Sequence, residues 1–133
     1  MTPKRFSMAI TAEPKDIDVL GHVNNAVWIE WIQDVATAHW ESSARPEHVG
    51  HLIWVVTRHE VDYLAPLHEG ETVTATTWID PETRGARSLR QMEFCDADGK
   101  LLVRAKTSWA LIDQESRRPM RVRPDMLAPF FAD

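Results

Sequence analysis

The sequence predicts an α+β domain, in which an antiparallel sheet of about five strands covers one long helix. Three observations lead there. One stretch only, residues 25–41, carries a long apolar period of 3.6 residues. Five other stretches alternate with a period of two. Short turn sequences such as "DADGK" and "PLHEGE" separate strand-like stretches, as hairpins require.

The elements follow in order. In residues 5–13, Phe6, Met8, Ile10 and Ala12 alternate with Arg5, Ser7, Thr11 and Glu13, the pattern of a half-buried strand. Pro14 helps to end it. From residue 25 the spacing becomes helical. Trp28, Trp31, Ile32, Val35 and His39 share one face, and Glu30, Gln33, Asp34, Thr37 and Glu41 share the other. Asn24 or Asn25 suits the N-cap. Seventeen residues give a helix of roughly 25 Å at 1.5 Å per residue.

The segment "ESSARPEHVGH" is a turn-rich connector. Residues 52–64 then begin apolar and go on to alternate, with Thr57, His59, Val61 and Tyr63 opposite Arg58, Glu60 and Asp62. Residues 71–79 alternate through Val73, Ala75, Thr77 and Ile79. Residues 87–95 carry Leu89, Met92 and Phe94 among polar residues, and 101–112 alternate from Leu101 to Leu111. The tail "RPDMLAPFFAD" predicts a short terminal helix. No repeat, low-complexity segment or second domain is visible, so residues 1–133 read as one domain.

Composition narrows the function classes. The chain has 133 residues, 44% hydrophobic and 26% charged, enough apolar mass for one core. A domain this small gains from oligomerisation, which buries more of its surface. A net charge of −5 argues against nucleic acid as the main partner, because phosphate binding calls for a basic excess. The lone cysteine, Cys95, allows no intramolecular disulfide and no cysteine-based zinc site. No signal peptide and no membrane-length apolar run is recognised, so a soluble, cytoplasmic protein without a membrane partner is expected.

The chemistry concentrates in "DIDVLGHVNNAVWIEW", residues 16–31. A helix N-terminus exposes unpaired N–H groups and the positive end of the helix dipole. Such a terminus can polarise a carbonyl and stabilise an oxyanion. A carboxylate just upstream can act as nucleophile or as general base on water. Asp16 and Asp18 are the candidates, and Asp18 lies closer in sequence to the helix start. Gly21 lets a substrate approach the backbone. His22, Asn24 and Asn25 can position water or substrate. The same residues also suit plain capping and turn roles, since Asx side chains are the commonest caps.

"DIDVLGHVNNAVWIEWIQDV" resembles the D-x-D-x-x-G-H-V-N-N segment of hotdog-fold acyl-CoA thioesterases, in the 4-hydroxybenzoyl-CoA thioesterase-like superfamily. It also resembles the H-V-N-N segment of plant acyl-ACP thioesterases. "RHEVDYLAPLHEGETVTATTW" and "GKLLVRAKTSWALID" are similar to later strands of the family, so the likeness spans nearly the whole chain. The resemblance implies a hotdog fold, a long central helix wrapped by a curved antiparallel sheet, assembled as a homodimer or homotetramer. It implies hydrolysis of an acyl-CoA thioester to free acid and coenzyme A. Asp18 would be the reacting carboxylate, and an N–H near Asn25 would polarise the thioester carbonyl. No metal and no cofactor is implied beyond the coenzyme A of the substrate.

Weaker signals complete the candidate site. Val23 belongs to the motif. Trp28 stands where the family often has tyrosine, which makes it the tryptophan best placed to touch substrate. His59 and Tyr63 share a strand face and are candidates to line an acyl pocket, beside a core-packing role. Arg84, Arg87 and Ser88, in "TRGARSLR", are candidates for the coenzyme A phosphates, which arginines bind well. The second basic cluster, "SRRPMRVR", carries the same chemistry more weakly. His48, His51, His59 and His68 show no metal-binding spacing. Glu30, Asp34 and Glu41 are alternative helix carboxylates that read as a polar face.

Three other readings compete. An acyl-ACP substrate is one, although the plant enzymes need a second hotdog repeat that this chain is too short to hold. A hotdog dehydratase is another, and Gly-His followed by Val-Asn-Asn counts against it. A non-catalytic acyl-CoA binding module would need the same pocket.

Overall fold

A computed structural model describes residues 1–132. Its elements run β1 (Thr2–Pro3), β2 (Phe6–Thr11), α1 (Asn25–Ser43), β3 (Ile53–Tyr63), β4 (Thr72–Arg84), β5 (Arg87–Cys95), β6 (Leu101–Ile112), α2 (Pro124–Leu127) and β7 (Phe131–Ala132). A five-stranded antiparallel sheet has the order β2-β4-β5-β6-β3. A second, two-stranded sheet pairs β1 with β7, Thr2 opposite Ala132, and ties the two ends of the described chain together. That small sheet carries no legible sequence pattern, because two residues are too few to show a period.

Helix α1 runs for 19 residues, two beyond the expected end. Its buried residues are Trp28, Trp31, Ile32, Val35, Ala36 and His39, the face that the 3.6-residue period selects. Each large apolar side chain buried this way stabilises the fold by about 1.5–3 kcal/mol. Trp28 packs edge-on against Trp31 and Phe94, with ring centroids 5.0 and 5.1 Å apart. From β2 to β6, alternation puts Met8, Val61, Ala75, Met92 and Ala105 on the face that meets the helix. A smaller apolar cluster lies beside it. Ile79, Leu111, Val122, Met126, Leu127 and Phe130 pack there against Trp40 and Trp54.

Strand β5 departs from expectation. Its buried residues are Ser88, Arg90, Met92 and Phe94, while Leu89 is only half-buried. The inward phase of β5 therefore carries an arginine. Arg90 Nη1 donates to His39 Nδ1 at 2.8 Å and to Thr77 Oγ1 at 3.1 Å. Thr77 passes its own hydroxyl proton to the Gln91 carbonyl at 2.8 Å. Burial, and then the Arg90 cation, push His39 down to about 4, so its ring is a neutral acceptor. Phe6 stacks on that ring and Phe130 meets it edge-on. Strand β4 also outruns its expected end at residue 79, because its register with β5 shifts between Ile79 and Thr83 and then resumes up to Arg84 opposite Arg87.

Candidate active site

The stretch before α1 folds back on itself. Pro14–Asp16 forms one 3₁₀ turn. Ile17 bridges Val23, Asp18 N–H donates to the His22 carbonyl at 3.1 Å, and Asn24 N–H donates to the Asp16 carbonyl at 3.0 Å. A miniature hairpin thus delivers the chain to the helix start. Its tip is a turn closed by Gly21 N–H on the Asp18 carbonyl at 3.0 Å. Gly21 has φ +89°, a conformation that glycine adopts without strain, and a Cβ there would meet nothing within 4 Å. The glycine is demanded by the backbone path, and the space beside it is open.

The two carboxylates divide their duties. Asp16 is buried, and its Oδ2 accepts from the Glu13 N–H at 2.9 Å as half of a capping box. Its backbone also sits nearer the helix start than that of Asp18, contrary to their order in sequence. Asp18 is half-buried, and Oδ1 accepts from the Leu20 N–H at 2.9 Å. No other hydrogen bond to the Asp18 carboxylate occurs among the described residues, so Oδ2 is free to act.

The helix start is asymmetrically satisfied. Asn24 is the N-cap, and its Oδ1 accepts from the Ala26 N–H at 2.8 Å. The Asn24 carbonyl accepts from Val27 and Trp28. Asn25 N–H has no protein acceptor among the described residues. One backbone donor at the positive end of a 19-residue helix therefore remains unpaired. Tyr63, at the end of β3, donates its hydroxyl to the Asn25 carbonyl at 3.2 Å and braces the same turn. Burial pushes the Tyr63 phenol up, which keeps it a donor. Beside the hairpin, the His22 and His68 rings meet edge-on at 6.3 Å, and His68 Nδ1 lies 2.9 Å from Glu71 Oε1.

Asp18, Gly21, His22, Asn24, Asn25 and Tyr63 are thus brought together. The other expected residues are not. Val23 is 2% exposed, with its N–H on the Leu67 carbonyl, and Trp28 is 2% exposed between Trp31 and Phe94. Both are core residues, because hairpin and helix alternation point them inward. His59 lies two same-face steps back along β3, four residues before Tyr63 and so roughly 13 Å away at 3.3 Å per residue. Its Nδ1 meets Thr107 Oγ1 at 3.0 Å, its Nε2 is buried without a partner, and burial lowers its pKa.

Arg84, Arg87 and Ser88 lie at the β4–β5 hairpin, at the opposite end of the sheet. Arg87 pairs with Ala110 and Tyr63 with Val103, seven residues apart on β6, so roughly 23 Å separates the two ends. Among the described residues Arg84 pairs only with Glu82, at 3.4 Å on the surface. Adjacency in sequence to a strand does not say which end of the sheet that strand presents. Sequence reasoning also passed over Leu67, whose carbonyl holds Val23, and the bracing bond from Tyr63; both are long-range contacts with no local signal. Among the described residues no group of three His, Cys, Asp or Glu side chains could hold a metal ion, and no helix is long and apolar enough to cross a membrane.

A long helix wrapped by a five-stranded antiparallel sheet is the hotdog fold, and comparison with solved structures agrees. A Staphylococcus aureus protein, SAV2348, described in complex with CoA, superposes with a TM-score of 0.84 at 20% identity, covering 97% of this chain and 83% of that one. At that identity the likeness is one of fold. The profile of the acyl-ACP thioesterase N-terminal domain matches residues 3–130, and the chain belongs to that family. Among curated relatives, a putative acyl-CoA thioesterase of Bacillus subtilis, YneP, is 29% identical over 117 residues, spanning 84% of this chain and 80% of its own. The chloroplastic acyl-[acyl-carrier-protein] hydrolase FATB3 of Cuphea viscosissima is 31% identical over 86 residues, 62% of this chain. The matched segment is 21% of that plant relative's length.

Proposed function

We propose that the chain is an acyl-CoA thioesterase, hydrolysing a thioester to a free acid and coenzyme A. The observation that carries this reading is the unpaired Asn25 N–H at the helix start, joined through one short hairpin to a carboxylate with one free oxygen on Asp18. A thioester carbonyl oxygen set against Asn25 N–H would accept its hydrogen bond and lie in the positive field of the helix. Asp18 Oδ2 then either attacks the carbonyl carbon or takes a proton from an attacking water. Coenzyme A departs as a thiolate, a good leaving group that needs little protonation. His22 and the amide nitrogen of Asn24 orient water or substrate at the rim, and Gly21 keeps that rim open. The hydrolysis draws on a carboxylate, backbone dipoles and water, and calls for no metal or redox cofactor.

Coenzyme A as carrier is favoured by YneP, named for acyl-CoA and matched over four-fifths of its length, and by the CoA complex of the staphylococcal neighbour. The family profile favours a second reading, an acyl-carrier-protein thioester. Within one chain roughly 23 Å along the sheet separates Arg84 and Arg87 from the helix start, close to the full length of an extended coenzyme A arm. A second copy in the proposed homodimer or homotetramer would bring them to the phosphates without a fully extended substrate.

The test is thiol release from a panel of acyl-CoA esters and matching acyl-carrier-protein thioesters. Asn at position 18 keeps the Oδ1 acceptor for Leu20, so Asp18→Asn should fold normally. Its kcat should fall by about 10²–10⁴, the scale of a lost general base. A folded Asp18→Asn variant that keeps wild-type kcat on a cleaved ester would make Asp18 a turn residue only. The ratio of kcat/KM between the two carriers decides which thioester is the substrate.

A further inference from the structure

The C-terminal half of α1 covers a cavity of about 230 Å³ that is lined by none of the residues gathered at the helix start. Trp40, Trp54, Trp109 and Leu127 give it apolar walls, and Ser88 and Arg90 give it a polar floor. Arg90 is 6% exposed, yet no carboxylate among the described residues pairs with it. Its partners, His39 and Thr77, are both neutral and both bind Nη1. Among the described residues Nε and Nη2 donate to nothing. Buried polar groups are nearly always satisfied, and buried cations nearly always paired. Here a guanidinium, a donor without any acceptor capacity, stands at one cavity with two of its nitrogens uncommitted among the described residues.

We infer that this cavity is a second ligand site, which binds a monocarboxylic acid with its carboxylate on Arg90 and its apolar body among Trp40, Trp54 and Trp109. A planar guanidinium suits a carboxylate better than any neutral acceptor. The volume sets the size. A dry cavity of about 150 Å³ accommodates benzene, so 230 Å³ takes one aromatic ring with a short acid arm, about ten non-hydrogen atoms in all. Glu41, exposed on the helix, also lines the cavity. Its charge repels an anion at the mouth and leaves Arg90, on the floor, as the seat for the carboxylate. Burial lowers the Arg90 pKa to about 10, which leaves it a cation at neutral pH. The site stands on this geometry whether or not the chain cleaves thioesters.

Phenylacetate is the probe, with phenylacetamide as its uncharged match. Isothermal titration calorimetry on the intact protein, followed in parallel by tryptophan fluorescence, should show one saturable site per chain. Phenylacetate should bind at least tenfold more tightly than the amide. Trp54→Ala removes one apolar wall and should weaken phenylacetate and phenylacetamide alike, several-fold. Thr37→Trp, on the exposed rim, leaves the Arg90 network intact and should abolish binding by filling the mouth. Arg90→Gln, where it folds, should erase the preference for acid over amide. Equal affinity for acid and amide, no saturable binding to wild type, or undiminished binding by Thr37→Trp each overturns the inference. Phenylacetate affinity that follows Asp18→Asn and ignores Thr37→Trp would place the acid at the helix N-terminus instead, and overturns it too.

Discussion

Asn24 shows how one residue can serve fold and chemistry together. Its side chain satisfies Ala26 and its carbonyl satisfies Val27 and Trp28, and this leaves Asn25 N–H as the spare donor. Asn24→Ala should therefore lower stability by about 1 kcal/mol, the usual worth of an N-cap, as read by urea denaturation. It should also lower kcat, because an uncapped first turn frays and spreads the orientation of the Asn25 N–H. A stability loss with unchanged kcat would separate the cap from the reaction. Sequence alone narrowed the N-cap to Asn24 or Asn25. The choice depends on backbone angles, and Asn24 has the extended ones, φ −62° and ψ 142°.

Among the elements, the hairpin between Asp16 and Asn24 matters most, because it sets where Asp18 stands relative to the helix. Its tip depends on Gly21 at φ +89°. Gly21→Ala meets no clash there but must adopt a left-handed conformation, at about 1–2 kcal/mol. The expected outcome is a lower denaturation midpoint, with a fall in kcat/KM from the displaced Asp18 turn. Wild-type activity with the stability loss would show that the tip can relax without moving Asp18. The helix and sheet were legible because a period survives in sequence whatever packs against it. Arg90 was not. Its place between Ser88 and Met92 on the inward face of β5 looks like an interruption until His39 and Thr77, 51 and 13 residues away, are seen to receive it.

For the whole molecule, the buried His39 couples folding to pH. Its folded pKa of about 4 lies below the ordinary 6.5, so the unfolded chain binds the proton first. Stability is fully present above pH 6.5 and declines as pH falls towards 4. A shift of that size corresponds to about 3 kcal/mol in full, of which roughly 2 kcal/mol is lost by pH 4.5. Denaturation at pH 7.5 and 4.5 measures it, and His39→Gln should flatten this part of the profile. Assembly is the other property at this scale. Strand β3 is an edge of the main sheet, and Val55 on it is 40% exposed. Pairing of this edge with a second copy is expected. Light scattering should give a multiple of the 15.2 kDa chain, and Val55→Lys should shift it towards one chain.

The sequence by itself determined the layers, the buried face of the helix, and the segment that holds the candidate chemistry. Hydrophobic periods and turn residues act over a few positions, so a linear reading captures them. Only the tertiary structure decided which carboxylate is free, that Val23 and Trp28 are core, and that Arg84 and Arg87 stand at the far end of the sheet. It also decided that Arg90 lies unpaired with any carboxylate at a cavity. Each of these depends on which distant group supplies or withholds a hydrogen bond. That partner is chosen by strand register and helix packing, and no short window of sequence contains it.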